Sequence, residues 1–329
     1  MTTTRLSDVI VPEQWTAPFL LASPELTAFF QSGIVAHDDV IAALAMGEGS
    51  TFHLRHLNDL VNDAENISSD DNTVTSTPDK ASGGQQTAVK LMRNKSWSSM
   101  DLVAALTHPD PVSVIRSRVA KYWAHRFQAA TIAIANGILA ANVAQNGGDM
   151  LYDGSAAAIS GTAILNAKAT LGDAAANLTS IAMHSAQYTE LQKQNLIVYL
   201  RDGSADVHFP TYLGYRVVVD DGMPVDTSGA DPVYTAALFG AGVFRMGLGQ
   251  DKVPAEVWRN PASGNGGGEE VFFSRQQFVI HPAGFSYSAA SPDAGGAGFN
   301  PSNTTLATAA SWSRVFQRKQ IPLAFLKSK

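Results

Sequence analysis

From Val112 to Gln145 the apolar positions recur at a single interval. Val112, Ile115, Val119, Trp123, Phe127, Ala130, Ile134, Ile138 and Ala141 advance 29 residues in eight steps. That is close to 3.6 per step, the period of a straight α-helix rather than the 3.5 of a coiled-coil seam. Asp110-Pro111 in front supplies a cap and a first-turn proline. At 1.5 Å per residue such a helix runs about 50 Å, longer than a compact domain of this size usually holds. Arg118, Lys121 and His125 fall outside the stripe, and from Ala129 onward the sequence is apolar nearly all round. This end is therefore expected to be buried on both sides.

A second pattern precedes the helix. Thr51–Val61 alternates apolar and polar residues and predicts a strand. Residues 62–86 are then almost purely polar, with Asp63, Glu65, Asp70 and Asp71 followed by Pro78 and Ser82-Gly83-Gly84. Thr87–Ser98 predicts a returning strand. Together they make a two-stranded finger with an acidic tip, and an isolated hairpin is marginal in water. The finger needs a surface to lie on. Ahead of it, residues 1–48 suit an extended arm with one helical segment, capped by Ser23, entered through Pro24 and ended at Gly33, with Leu26, Phe29 and Phe30 on its apolar face.

Beyond the long helix, Ser155–Leu171 predicts an alanine-rich helix and Ala186–Lys193 another. Short strands are expected at Ser180–His184, Asn195–Leu200, Val207–Tyr212, Tyr215–Asp220, Tyr234–Phe244, Glu256–Arg259 and Val271–His281. Gly264 to Gly268 would form the tip between the last two. Pro282–Ser302 reads as loop, Thr304–Ala310 as helical, and Trp312–Phe325 as a final strand. There is no internal repeat.

Composition narrows the function classes. The 329 residues are 45% hydrophobic and 16% charged, enough for a sizeable core. A net charge of −6 argues against coating nucleic acid through bulk basicity. The absence of cysteine removes disulfides, thiolate metal sites and cysteine nucleophiles. No apolar stretch at the start suits a signal peptide, and the run Thr131–Ala144 falls short of a membrane span. The expectation is a soluble protein made in a cytoplasm.

Candidate chemistry is thin. His53-x-x-His56 has metal-like spacing, but positions i and i+3 of a strand face opposite ways. His184-Ser185 lacks the glycines of a nucleophile elbow and suits a helix cap. Asp220-Asp221-Gly222 suits a turn. Gly240-x-Gly242 and Gly247-x-Gly249 lack the context of a dinucleotide or phosphate loop. The basic set Arg116, Arg118, Lys121 and Arg126 could meet a phosphate backbone, and the acidic finger supports at least equally a solvated or partner-facing helix face. No catalytic, cofactor or metal constellation is expected, and the reading is a non-enzyme.

His184–Leu200 with Val207–Pro224 (HSAQYTELQKQNLIVYL and VHFPTYLGYRVVVDDGMP) resembles the major capsid proteins of tailed bacteriophages and prophages. Thr4–Val35 is similar too. The resemblance implies an α+β fold of the Hong Kong 97 type, with an arm at 1–48, an extended loop at 49–98, a peripheral domain with its spine helix at 99–150, an axial domain at 151–300 and a C-terminal return at 301–329. It implies hexameric and pentameric capsomers closing an icosahedral head around double-stranded DNA, without sequence-specific binding and without a membrane. It also implies a portal and a separate scaffold as partners, room for a decoration protein, and assembly in the bacterial host cytoplasm into a virion. Asp63, Glu65, Asp70 and Asp71 would contact Arg116, Arg118, Lys121 and Arg126 of a neighbour. Some members cross-link lysine to asparagine; Lys80, Lys90 and Lys95 lie on or near the finger without a motif that identifies a partner. An N-terminal scaffolding domain has no room before residue 50. The other reading is a soluble α/β enzyme or ligand-binding protein with a scattered site.

Overall fold

Asp38 ends a short strand, β1 (Val35–His37), and caps helix α1 (Asp39–Met46) by accepting from the amides of Val40 and Ile41. The finger strands β2 (Thr51–Leu57) and β3 (Gly83–Val89) follow, then β4 (Leu91–Met100), α2 (Asp101–Leu106) and the long α3 (Pro111–Gln145). After α3 come β5 (Leu151–Gly154), α4 (Gly161–Ala169), β6 (Leu178–Met183), α5 (Ser185–Lys193), β7 (Val198–Arg201), β8 (His208–Tyr212) and β9 (Tyr215–Val219). The chain continues through β10 (Val225–Asp226), β11 (Val233–Gly240), β12 (Phe244–Leu248), β13 (Ala255–Asn260), β14 (Glu269–Pro282) and β15 (Phe285–Tyr287). It ends with α6 (Asn303–Leu306), β16 (Trp312–Arg314) and β17 (Leu323–Ser328). This computed structural model describes residues 29, 32–60, 64–106, 111–194, 197–201, 208–288 and 300–329; the side chains of 104–106, 111–114, 116, 117, 198–201 and 208–210 lie outside the description. The arm helix expected around Ser23 and Pro24 also lies outside the described residues, although Phe29 is fully buried.

Several expected elements are divided by turns. The returning finger strand begins at Gly83, with Gly83 and Gly84 inside the ladder rather than at its tip, and breaks at Lys90 into β3 and β4. Tyr234–Phe244 is two strands, because Gly242 turns the chain at φ +66°, a conformation that suits glycine. Trp312–Phe325 is likewise β16 and β17, separated by a 3₁₀ turn at Arg318–Gln320. The expected loop Pro282–Ser302 contains β15, which pairs with β16. Helix α4 starts at Gly161, where Ser160 accepts from the Ala163 amide, and not at Ser155.

The chain forms two units, and α3, β4 and β14 each pass from one into the other. The first holds residues 93–125 and 251–276. In it β13 pairs antiparallel with the first half of β14, from Ala255 opposite Ser274 to Asn260 opposite Glu269. Trp123 Nε1 donates to Ser274 Oγ at 2.9 Å. Trp97 stacks on Phe272 and meets Tyr122 edge-on. The expected glycine-rich tip joins these strands, with Gly268 O accepting from the Asp101 amide.

The second unit holds residues 27–92, 126–250 and 277–329. Its main sheet runs β5-β17-β11-β6-β9-β8-β7, with β10 paired to β11. The period-2 alternation of a strand puts neighbouring side chains on opposite faces, and both faces are covered. Ala237, Phe239, Ala182, Val218, Leu323 and Phe325 join one core with Ile134 and Ile138 of α3. Ala236, Leu238, Ile181, Val217, Ala324 and Leu326 join a second with Ile164 and Ala167 of α4. Burial on both faces explains why these strands are nearly continuous apolar runs. The apolar second half of α3 is consumed in the first core, from Ala130 to Ala141. Gly137 lets the α6–β16 segment approach: a Cβ there would fall on the Leu306 carbonyl oxygen and 2.6 Å from Trp312 Nε1.

Candidate assembly surface

The finger is a ladder from Thr51 opposite Val89 to Leu57 opposite Gly83. The residues of β2 alternate between exposed and half-buried, while β3 buries Gln86, Ala88 and Val89 toward its end. Phe52 and Leu54 pack on Ile41, Ala45, Ala88 and Val279. His56 lies against Phe316 with ring centroids 4.7 Å apart, and its partner Gly84 has no side chain to obstruct the ring. His53 points the other way, within 3.1 Å of Thr87 Oγ1. The two histidines therefore do not converge.

Further anchors tie the finger's root to the body. The Thr87 amide donates to Ser286 Oγ at 3.0 Å, and the Met92 amide and carbonyl both bond the Asn300 side chain at 3.1 Å. Buried Lys90 donates through Nζ to the Gly47 carbonyl at 2.7 Å. Helix α1 completes the seat by lying directly on β12. Side chains at Gly247 or Gly249 would meet the backbone of Ile41, Ala42 or Ala45, so the second Gly-x-Gly serves packing.

Past Leu57 the character changes. The Asn58 amide still donates to Ser82 O at 2.9 Å, but every residue from 64 to 82 is exposed. Asp71 closes a local turn, accepting from the Thr73 amide and hydroxyl at 2.9 and 2.7 Å; these bonds hold its carboxyl below the usual range. Leu57, Leu60, Ile67 and Val74 stand 84%, 76%, 89% and 60% exposed. Residues 57–83 carry six carboxylates and one lysine, a net −5 of the chain's −6, which leaves −1 for the remaining 302 residues.

Of the residues expected to make contacts, Glu65, Asp70 and Asp71 are exposed on this segment and Asp63 lies outside the described residues. Arg118 is half-buried on α3, and Lys121 and Arg126 are exposed. Arg116 belongs to the same helix, but its side chain lies outside the description. The chain thus divides the expected set between two elements, an acidic ribbon and a helix. The exposed apolar residues among the acids went unnoticed in the sequence; the signal was the isolated Ile67 and Val74 within a polar run.

The remaining candidates have structural work. His184 caps α5, its Nδ1 accepting from the Ala186 amide at 3.1 Å, while Gln187 completes a capping box. Asp221 accepts from the Ser185 amide at 3.2 Å, and hydrogen bonds from Ser185 keep its carboxyl below the usual range. Asp220 Oδ1 accepts from the Gly222 amide at 2.7 Å in the expected turn. Among the described residues, no three His, Asp or Glu side chains gather as a metal site requires.

The Gp13-like family, described as major capsid protein 13-like, matches residues 54–321. The chain belongs to this family. It is 38% identical to the major capsid protein of Bacillus phage SPP1 over 331 aligned positions, covering 99% of this chain and 98% of that protein. In fold it is similar to the capsid of Ralstonia phage GP4, with a TM-score of 0.58 and 12% identity over 86% of this chain and 94% of that one. It is equally similar to the Cyanophage Pam1 capsid, with a TM-score of 0.58 and 11% identity over 99% of both chains. The chain is a tailed-phage major capsid protein with an α+β, Hong Kong 97-like fold. It is a virion component, acts as a homo-oligomer, and belongs to a structural rather than an enzyme family. The reading as an enzyme or ligand-binding protein finds no support in these relatives.

Proposed function

We propose that the chain forms hexameric and pentameric capsomers that close an icosahedral head around the double-stranded DNA of a tailed phage. Assembly takes place in the host cytoplasm, with a portal and a separate scaffold protein, and the finished shell leaves its outer surface open to a decoration protein. The observation that carries this reading is the finger beyond Leu57: an exposed ribbon with four large apolar side chains and nearly all the net charge. Such a ribbon gains stability only on a partner, and a second copy is the partner a shell supplies.

Asp63, Glu65, Asp70 and Asp71 then face Arg116, Arg118, Lys121 and Arg126 of a neighbour. One exposed ion pair contributes only about 0–1 kcal/mol, so the apolar anchors and repetition over many subunits carry the contact. The chain divides into an arm at 1–48, extended loop at 49–98, peripheral domain at 99–150, axial domain at 151–300 and C-terminal return at 301–329. One stretch inside the axial range departs from these bounds, since residues 251–276 cluster with 93–125. DNA is enclosed without sequence-specific contacts, and isolated capsomers show little binding at physiological salt.

The test replaces residues 62–82 by a short Gly-Ser turn, which preserves the anchored ladder. The expected product has the circular dichroism of the intact chain and forms no closed shells by electron microscopy. Normal particles from this variant would refute the proposal.

A further inference from the structure

Gln86 lies at the root of the finger on β3, buried, where the ribbon meets the corner between β14 and β15. Its Oε1 accepts from the Gly284 backbone amide at 3.2 Å and lies 2.9 Å from His281 Nε2. A backbone amide can only donate, so the oxygen of Gln86 must occupy this position. His281 must then carry a proton on Nε2, and in the neutral ring its Nδ1 has none. The imidazole is 2% exposed.

Its surroundings do not welcome charge. On β12, Arg245 is the register partner of His281 and reaches Asp38 at 3.4 Å. Between β3 and β4, the ammonium of Lys90 is taken by the Gly47 carbonyl. On β2, His53 is engaged with Thr87 and His56 packs on Phe316. Gln86 itself is uncharged.

We propose that His281 is an acid-sensitive clamp: neutral, it holds the finger's root to the β14–β15 corner through Gln86; protonated at Nδ1 it keeps that Nε2–H bond but becomes a buried ion, and the root opens to let water reach the charge. Burial first, then the charge of Arg245, lowers the imidazole from 6.5 to about 4. In the released state the ring meets water and takes a proton near its ordinary value of about 6.5. The clamp therefore holds fully above that value and weakens as pH falls toward 4. Between pH 7 and pH 5 the opening equilibrium rises about 20-fold. The clamp lies within one chain and stands whether or not the finger binds a neighbour.

Hydrogen–deuterium exchange of the β3 amides in the full-length protein tests it at pH 7 and pH 5. Rates are corrected for intrinsic exchange, with the β11 amides of residues 236–239 as reference. Protection of β3 should fall about 20-fold relative to β11 in the wild type. His281→Gln keeps a neutral N–H donor and should flatten the response. Gln86→Glu gives the imidazolium a carboxylate partner and should keep β3 protected at pH 5. Should His281→Gln fail to fold, Gln86→Glu decides alone. Unchanged wild-type protection, or a wild-type fall in the variants that fold, overturns the clamp.

Discussion

Gly137 provides the sharpest test of the packing, because two effects of opposite sign meet there. Glycine inside a helix costs about 1 kcal/mol relative to alanine, so helix propensity alone predicts that Gly137→Ala stabilises the protein. The structure predicts the reverse. The new methyl would occupy the place of the Leu306 carbonyl oxygen and crowd the Trp312 indole, whose Nε1 donates to that oxygen at 2.7 Å. Both acceptor and ring are buried, and the obstacle is backbone rather than a flexible side-chain end. Overpacking a core costs about 1–3 kcal/mol, and breaking a buried hydrogen bond costs about 1–3 more. Subtracting the propensity gain leaves a loss of about 1–5 kcal/mol, a large share of the roughly 5–15 kcal/mol that holds a typical domain. Urea unfolding of the unassembled full-length chain, followed by circular dichroism at fixed concentration, should show a midpoint lower by roughly 0.3–1.7 M at a slope of about 3 kcal/mol per M. An equal or higher midpoint would mean that the α6–β16 segment does not pack against α3 in this way.

Trp312→Phe keeps most of the ring but strips the donor from the Leu306 carbonyl, and should cost about 1–3 kcal/mol in the same assay. Asp149 should contribute to the acid limb of stability. Burial raises its carboxyl, but hydrogen bonds from Arg314 and Asn142 and the charges of Arg314 and Arg318 outweigh this and hold it below the ordinary 3.8. Its contribution is thus present above that value and is lost as pH falls through the lowered one. Asp149→Asn should lower the thermal midpoint at neutral pH and shrink the difference between variant and wild type in strong acid; a constant difference would contradict this.

Periodic signals made α3 legible in the sequence because one side of its first half and all of its second half follow a single repeat. The finger was legible because a nearly all-polar run, Asn62–Gln86, separates two alternating segments. His184 was legible as a cap for the same local reason: its hydrogen bonds lie within three residues. What the sequence hid depends on distant partners. At the break between β3 and β4, Lys90 gives its side chain to the Gly47 carbonyl 43 residues away. The division of Trp312–Phe325 follows from two sheets claiming its ends: β16 joins β15, and β17 joins β11 and β5. The Gln86–His281 contact spans 195 residues, and no window of local pattern contains both.

The uneven placement of charge has a consequence for the chain before it finds its neighbours. A body carrying only −1 over 302 residues has little electrostatic protection against sticking to its own kind. The ribbon from 57 to 83, with a net −5, would supply that protection as a tethered polyanion between free subunits. The proposed docking on the basic residues of a neighbour's α3 would cancel the repulsion at the moment of correct contact. One segment can thus serve first as a solubility tail and then as a fastener, and added salt should weaken both roles at once.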